Sequence, residues 1–307
     1  MEKEKLAPGA ASPEPDAIVE LLNNIVEAPK PEKRVEWQDN KAPEPDKPVE
    51  LQKNINGALV HSADGPSARI KVGEVSRLVA LTDPKSLGAE KFRALVARLE
   101  NLRHRGELKS LQITSAVVNE GKSLVAANLA VTLVKHFGYK VLLVEGDLHR
   151  PSIGNLLGLT QLEGISQWWH RREDQNEISR YIYKLDDTPL SFLSAGGTHD
   201  QPSQILQSAR FAEAFVRLVG GFDWVVVDST PMSPIVDVNL WSRLVDGTLL
   251  VVREGVAPIK ALKMGVNGLD NPKWVGIVLN EVSEFDQVNY SDQYYGVQVQ
   301  EKRARKN

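Results

Sequence analysis

The chain has 307 residues, a formal net charge of −3 and no cysteine. Its length allows one large domain with appendages or two modest domains. The lack of cysteine excludes disulfides, thiolate metal sites and a cysteine nucleophile, and the small acidic charge argues against a nucleic-acid partner. The apolar runs are far shorter than a membrane span requires, and residues 1–6 precede no apolar secretory segment. We therefore expect a soluble, cytoplasmic protein.

Residues 1–75 are rich in Pro, Glu, Lys, Asn and Asp. Such a composition buries too little apolar surface to offset its ordering entropy, so we predict a disordered arm. Within the arm we predict a short helix at residues 16–27, which Asp16 is suited to cap and whose apolar side chains share one face. Two interpretations stay open for it: a transient helix, or a docking peptide for a partner groove.

From about Asp83 onward, short apolar runs alternate with helical spacing. The predicted helices are 89–99, 122–137 and 209–219, and the predicted strands are 111–115, 141–144, 224–227, 248–252 and 274–279. Continuous Val, Leu and Ile runs that alternate with helices indicate an α/β fold, with a mostly parallel central sheet covered by helices on both faces. We expect this domain to span residues 76–285, followed by a flexible tyrosine-containing tail at 286–307.

A phosphate-binding loop is predicted between the strand 111–115 and the helix 122–137, where residues 116–123 read Ala-Val-Val-Asn-Glu-Gly-Lys-Ser. Gly121 lets the backbone approach a phosphate, and successive N–H groups at the helix start favour an anion. Lys122 can reach the β- and γ-phosphates, and the Ser123 hydroxyl can bind Mg²⁺. The predicted nucleotide-binding residues of this loop are Asn119, Glu120, Gly121, Lys122, Ser123 and Leu124.

Carboxylates follow two other predicted strands. Glu145 and Asp147 come directly after the run 141–144, and Asp228 follows the run 224–227. Ligands bind outside the carboxyl ends of the strands in such sheets, so we expect these groups beside the phosphate loop. Phosphoryl transfer needs carboxylates to hold Mg²⁺ and to orient or deprotonate the acceptor hydroxyl. We predict Ser123, Asp147 and Asp228 as the metal ligands.

In order and spacing these motifs resemble the bacterial tyrosine kinases of polysaccharide synthesis (the BY-kinase family, CpsD/CapB-like), over roughly residues 83–295. Ser115–Ser123 is similar to the family's phosphate loop. Glu145–His149 partly matches its strand ending in Asp-x-Asp-x-Arg, and Asp228–Pro231 matches its strand ending in Asp-x-x-Pro. Gly196–Ser208 is similar to the linker before that third motif.

The resemblance implies a P-loop NTPase fold related to MinD and ParA. It also implies a tyrosine autokinase that uses ATP and Mg²⁺ and has Lys122, Glu145, Asp147 and Asp228 as catalytic residues. Glu145 would take the role of the family's aspartate base. Asn280 would read the nucleotide base, and Arg253 would either contact that base or form a structural salt bridge.

The resemblance further makes Tyr290, Tyr294 and Tyr295 the autophosphorylation sites, although a tyrosine-rich tail can also be a simple flexible terminus. It implies a homo-oligomer and a partner, the cytoplasmic tail of an inner-membrane polysaccharide chain-length regulator (Wzz-like). This partner would recruit the protein to the inner face of the inner membrane. Phosphorylation cycles would then regulate capsular or exopolysaccharide polymerisation and export.

Two other functions stay open. Glu145 stands where the family has Asp, and His149 replaces its Arg, which favours a nucleotide-dependent scaffold of the same export machinery with little or no kinase activity. A positioning ATPase of the MinD/ParA type is the lesser alternative. That class has a signature lysine early in its phosphate loop, where this sequence has Val117.

Overall fold

The computed structural model describes residues 66–71, 76–106, 108–186, 188–199, 201–232, 236–270 and 273–281. The helix predicted at residues 16–27 and the three tail tyrosines Tyr290, Tyr294 and Tyr295 lie outside the described residues. The boundaries predicted for the arm and the tail stay predictions, although Ser67–Ala68, within the predicted arm, form a short strand of the sheet.

A single sheet runs through the described part of the chain, in the strand order β1-β4-β5-β3-β6-β2-β7-β8. Every neighbouring pair is parallel except β4 and β5, which are antiparallel. The strands are β1 (Ser67–Ala68), β2 (Ser110–Ser115), β3 (Val141–Glu145), β4 (Ile182–Leu185), β5 (Leu190–Leu193), β6 (Trp224–Asp228), β7 (Gly247–Arg253) and β8 (Trp274–Asn280). The prediction of a mostly parallel central sheet is confirmed.

Helices connect the strands, and a 3₁₀ helix, Glu177–Tyr181, precedes β4. The α-helices are α1 (Val79–Thr82), α2 (Leu87–Arg105), α3 (Lys122–Phe137), α4 (Ile153–Leu156), α5 (Ile165–His170), α6 (Pro202–Gln207), α7 (Ala209–Gly220), α8 (Val236–Leu244) and α9 (Ile259–Asn267). Among the described residues, no helix is both long and apolar enough to cross a membrane.

The central strands are buried on both faces, which explains the continuous apolar runs of β3 and β6. Alternate residues of each strand enter two different apolar clusters: Leu143 and Val226 pack with α2 and α3, whereas Leu142 and Val225 pack with α5, α7 and α8. A third, smaller cluster joins Ala116 of the phosphate loop to α8 and α9. The central strands are therefore held from both sides, and their carboxyl ends are fixed relative to one another.

The structure extends or corrects several predicted elements. The helix predicted at 89–99 begins two residues earlier, because the Ser86 side chain accepts a hydrogen bond from the Ala89 N–H and caps it. Strands β4 and β5 were not predicted at all. Each has only four residues, and Lys184 and Ser191 interrupt their apolar pattern, so neither gives a continuous run like those of β3 and β6.

Candidate active site

The phosphate loop connects the carboxyl end of β2 to α3, as predicted from its sequence. Asn119 has φ 66° and Gly121 has φ 91°, a left-handed conformation that Gly adopts freely and Asn tolerates better than most residues. Gly121 is the N-cap of α3. These two positions turn the chain so that the loop's last N–H groups lie at the positive end of a sixteen-residue helix.

Gly121 also makes room for Asn280 at the end of β8. The Asn280 Nδ2 donates to the backbone carbonyl of Glu120 (2.8 Å), and a Cβ at position 121 would lie 2.2 Å from that nitrogen. The residue predicted to read the nucleotide base thus holds the phosphate loop in this structure. Its base-reading role stays a prediction.

The Glu120 side chain points into the protein and is fully buried. Its two oxygens accept hydrogen bonds from the backbone N–H of Val117 (2.8 Å) and from that of Arg253 (3.2 Å). Burial raises the pKa of this carboxyl, and the hydrogen bonds from the backbone oppose the rise. Glu120 therefore shapes the loop and ties it to β7 through its side chain, and only its backbone is left to face a nucleotide.

Lys122, Asp147 and Asp228 meet at the carboxyl ends of β3 and β6, as the sequence predicted for them. Lys122 Nζ lies 3.0 Å from Asp147 Oδ2 and 3.9 Å from Asp228 Oδ1. Burial lowers the pKa of the Lys122 ammonium, but the charges of Asp228 and Asp147 outweigh that effect, so its pKa is raised. The lysine is therefore held fully charged beside two carboxylates.

Asp228 is completely buried, and neither of its oxygens has a hydrogen-bond partner among the described residues. Burial raises its pKa to about 6, and the charge of Lys122 counteracts part of that rise. A buried carboxylate without a hydrogen bond is costly and calls for an explanation, such as an ion bound beside it.

These groups fit Mg²⁺. The ion prefers oxygen ligands, and it is usually held by one or two carboxylates together with substrate phosphates. Asp228 and Asp147 would be the two carboxylates, and the Ser123 hydroxyl at the first turn of α3 would be a third oxygen ligand. Ser123 contacts the Ser152 hydroxyl at 2.9 Å, which orients its side chain within the site.

Glu145 has contacts that do not fit the role predicted for it. The backbone N–H of Gly154 donates to its Oε1 (3.0 Å), and the N–H of Ala195 donates to its Oε2 (3.1 Å). The Ser194 hydroxyl also contacts Oε2 at 3.3 Å. The Glu side chain thus joins β3 to α4 and to the segment after β5. These contacts support a structural role, and the role of base stays a prediction.

His149, which stands at the position of the family's arginine, contacts Asp237 in the first turn of α8: His149 Nε2 lies 2.9 Å from Asp237 Oδ2. The other oxygen of Asp237 accepts a hydrogen bond from the Ser203 hydroxyl of α6 (2.9 Å). The contact fixes the segment after β3 to two helices.

Arg253 forms the structural salt bridge that was one of the two alternatives for it. Its guanidinium pairs with Glu281, the residue after β8, and its Nη1 contacts the Asn119 carbonyl of the phosphate loop at 3.5 Å. Whether it also contacts a nucleotide base stays a prediction. Leu124, the last predicted nucleotide-binding residue, is half-buried and packs against the main apolar cluster.

No model of a known protein family matches the chain, but individual relatives identify its family. CapB of Staphylococcus aureus, named for tyrosine-protein kinase activity, is 31% identical over 229 residues, which are 74% of this chain and 98% of CapB. The chain belongs to the bacterial tyrosine kinases of capsule and exopolysaccharide synthesis.

Other relatives agree with this family. The succinoglycan biosynthesis transport protein ExoP of Rhizobium meliloti is 30% identical over 231 residues, which are 71% of this chain but 28% of ExoP. The crystal structure of the chimerical protein CapA2B2 superposes with a TM-score of 0.61 at 27% identity, over 71% of this chain and 94% of that one. The kinase domain of the Escherichia coli tyrosine kinase ETK has a TM-score of 0.61 at 26% identity, over 67% of this kinase and 80% of that domain.

Proposed function

We propose that this protein is a tyrosine autokinase that uses ATP and Mg²⁺ to phosphorylate Tyr290, Tyr294 and Tyr295. The observation that carries the proposal is the meeting of Lys122 with two carboxylates, at 3.0 Å from Asp147 and 3.9 Å from Asp228, directly beside the phosphate loop. Kinase relatives of this family use a nucleotide, and the orphan carboxylate of Asp228 supports a metal ion as the second cofactor.

Each group has a defined part in the reaction. The N–H groups at the start of α3 bind the phosphates, and Lys122 leaves the carboxylates to neutralise the β- and γ-phosphates. Asp147, Asp228 and the Ser123 hydroxyl would hold Mg²⁺, which would supply positive charge that stabilises the phosphates. A new bond forms between the tyrosine oxygen and the γ-phosphorus while the bond to the leaving ADP oxygen breaks. The phenol proton passes to Asp228, because its oxygens accept no hydrogen bond among the described residues, whereas both oxygens of Glu145 and both oxygens of Asp147 already accept one.

For the partner we propose the cytoplasmic tail of an inner-membrane polysaccharide chain-length regulator of the Wzz type. The support is the family itself, whose relative ExoP is named for succinoglycan biosynthesis and transport. In this proposal the partner recruits and activates the kinase, a homo-oligomer presents tails to neighbouring sites, and phosphorylation adjusts polymer length and export.

The experiment is phosphorylation of the purified full chain with ATP and Mg²⁺, with and without the regulator's tail. Intact mass and phosphotyrosine detection give the readout. We expect phosphate on the parent chain, none on Lys122→Ala, and none on the variant with all three tail tyrosines changed to Phe. Lys135→Ala is the matched control, because Lys135 lies exposed on the same helix, far from the loop.

A second candidate, the nucleotide-dependent scaffold, is favoured by the structural contacts of Glu145. If the parent chain binds ATP but no tyrosine gains mass under either condition, the kinase proposal fails and the scaffold replaces it. If ATP binding itself is absent and Lys122→Ala behaves as the parent, both candidates fail.

A further inference from the structure

Two arginines from distant parts of the chain converge on one carboxylate beside the phosphate loop. Arg77 Nη1 lies 2.9 Å from Glu281 Oε1, and Arg253 Nη2 pairs with the other oxygen, Oε2. Arg77 precedes α1, whereas Arg253 ends β7. The two guanidinium groups are thus preset on either side of a single anionic group.

Both arginines are anchored through their backbones. The Arg77 carbonyl accepts a hydrogen bond from Asn128 Nδ2 of α3 (3.2 Å), and the Arg253 N–H donates to the buried Glu120 (3.2 Å). The side chains are accessible, with 69% of Arg77 and 36% of Arg253 exposed. A ligand from solution can therefore reach the pair without any rearrangement of the fold.

We propose that Arg77 and Arg253 form a binding site for a phosphotyrosine of the chain's own tail, with Glu281 as the group that occupies it before phosphorylation. Planar guanidinium groups bind phosphate in two-pronged geometry. A phosphotyrosine carries between one and two negative charges with three acceptor oxygens, whereas Glu281 offers one charge and two oxygens. The phosphate therefore displaces the carboxylate, whose surface pairing contributes little stability.

The position of the pair in the chain selects the tail as the source of the phosphate. Glu281 is the last described residue, and Tyr290 follows nine positions later. A loop of that length closes at a small entropic cost. The proposal rests on the proposed function for the origin of the phosphate, but the site itself can be tested without kinase activity.

Binding there would bring the phosphorylated tail against the phosphate loop. Arg253 Nη1 lies 3.5 Å from the Asn119 carbonyl, and the Arg253 N–H holds Glu120. The same arginine would then contact the tail phosphate and the loop that binds ATP.

The test uses a synthetic, fluorescent peptide of residues 286–297 phosphorylated at Tyr290, together with the same peptide without the phosphate. The protein is the full chain with Tyr290, Tyr294 and Tyr295 changed to Phe, so that its own tail carries no phosphotyrosine. Fluorescence anisotropy gives the affinity. We expect the phosphorylated peptide to bind about tenfold more tightly than the peptide without the phosphate, as charge-assisted hydrogen bonds to phosphate imply.

Two variants give opposite expected shifts. Arg77→Ala should weaken binding of the phosphopeptide about tenfold, with Arg98→Ala on the exposed face of α2 as a control that leaves it unchanged. Glu281→Gln should tighten binding severalfold, because it removes the competing carboxylate. Circular dichroism of each variant establishes that the fold is retained.

Equal affinity of the two peptides would overturn the site, and so would unchanged binding to Arg77→Ala or weaker binding to Glu281→Gln. Competition by ADP together with indifference to Arg77→Ala would place the phosphopeptide in the nucleotide site and refute the proposal. A chain that fails to phosphorylate itself but still binds the phosphopeptide through Arg77 would leave this site standing while the proposed function fails.

Discussion

The carboxylate of Asp228 lies at a position where it destabilises the folded protein. It is fully buried without a hydrogen bond, and the nearest charge, Lys122 Nζ, is 3.9 Å away. A residue chosen for stability at this position would be neutral or fully hydrogen-bonded. The position of this carboxylate beside the phosphate loop is explained if it binds a cation when the nucleotide is present.

We expect Asp228→Asn to stabilise the nucleotide-free protein. The pKa of Asp228 is raised to about 6 in the folded state, so the unfolded chain loses this proton first and stability falls as the pH rises from about 4 to about 6. Above pH 6 the variant should be more stable by about 2–3 kcal/mol, an order-of-magnitude figure from the size of the pKa shift. Below pH 4 that advantage should disappear.

Urea denaturation of both proteins across this pH range measures the effect. A variant that is less stable than the parent at pH 7 would show that the Asp228 carboxylate stabilises the protein. That result would contradict the interpretation that this buried carboxylate lacks a compensating partner.

The contacts of Glu145 allow a second test at the scale of one residue. If Glu145 were the base, Glu145→Asp would recreate the family residue and preserve activity. The structure instead predicts that the shorter side chain leaves the N–H groups of Gly154 and Ala195 without their acceptor. We expect a loss of about 1–3 kcal/mol in the free energy of unfolding, with Glu213→Asp on the exposed face of α7 as a neutral control.

Unchanged stability of Glu145→Asp together with a faster phosphorylation rate would restore Glu145 to the role of base. The two readouts separate a structural glutamate from a catalytic one, because a base variant changes the rate and need not change stability.

The sequence identified most of the groups that meet in the site, because each follows a strand and parallel strands end at one edge of a sheet. It could not show what their side chains contact. His149 and Asp237 pair across 88 positions of the chain, and Glu145 binds backbone N–H groups 9 and 50 positions away. Such partners depend on how α4, α8 and the segment after β5 pack, which no local pattern records.

At the scale of elements, the strands that were missed are those whose place in the sheet depends on contacts with distant parts of the chain. The fully buried strands β3 and β6 have continuous apolar runs, since both faces of the sheet are covered. Strand β4 buries its first and last residues and leaves the two between them more exposed. It joins the sheet by its antiparallel pairing with β5 and its short contact with β1. A strand of that kind is defined by its neighbours more than by its own composition.

The junction between the phosphate loop, α3 and β8 gives a prediction at this scale. In Gly121→Ala the new Cβ would lie 2.2 Å from Asn280 Nδ2, and the residue would keep a φ of 91° that L side chains rarely adopt. We expect lower stability and much weaker ATP binding, measured by urea denaturation and by titration with a fluorescent nucleotide.

The double variant Gly121→Ala with Asn280→Ala separates the two causes. Removal of the Asn280 amide should relieve the steric clash and leave only the backbone strain, about 1–2 kcal/mol. If the double variant is no more stable than the sum of the single variants predicts, the contact between these residues is not the source of the effect.

At the scale of the whole molecule, the site is assembled from segments that are far apart in sequence and adjacent only in the folded sheet. The phosphate loop follows β2, Asp147 follows β3, Asp228 ends β6, Arg253 ends β7 and Asn280 ends β8. In the sheet these strands are consecutive neighbours, β3-β6-β2-β7-β8. A nucleotide bound there would contact the carboxyl ends of several central strands, so its binding would be linked to the stability of the folded domain.

This linkage predicts a large thermal shift. At a concentration of MgATP a hundredfold above its Kd, binding to the folded state alone adds about 2.7 kcal/mol, which corresponds to a rise in Tm of about 5–10 °C for a domain of this size. The shift should vanish in Lys122→Ala and be much reduced in Asp228→Asn, although the latter starts from a higher Tm without ligand. Differential scanning fluorimetry with ATP alone, Mg²⁺ alone and both together measures it. If ATP without Mg²⁺ gave the full shift in the parent and in Asp228→Asn alike, the buried carboxylate would have no part in holding a metal.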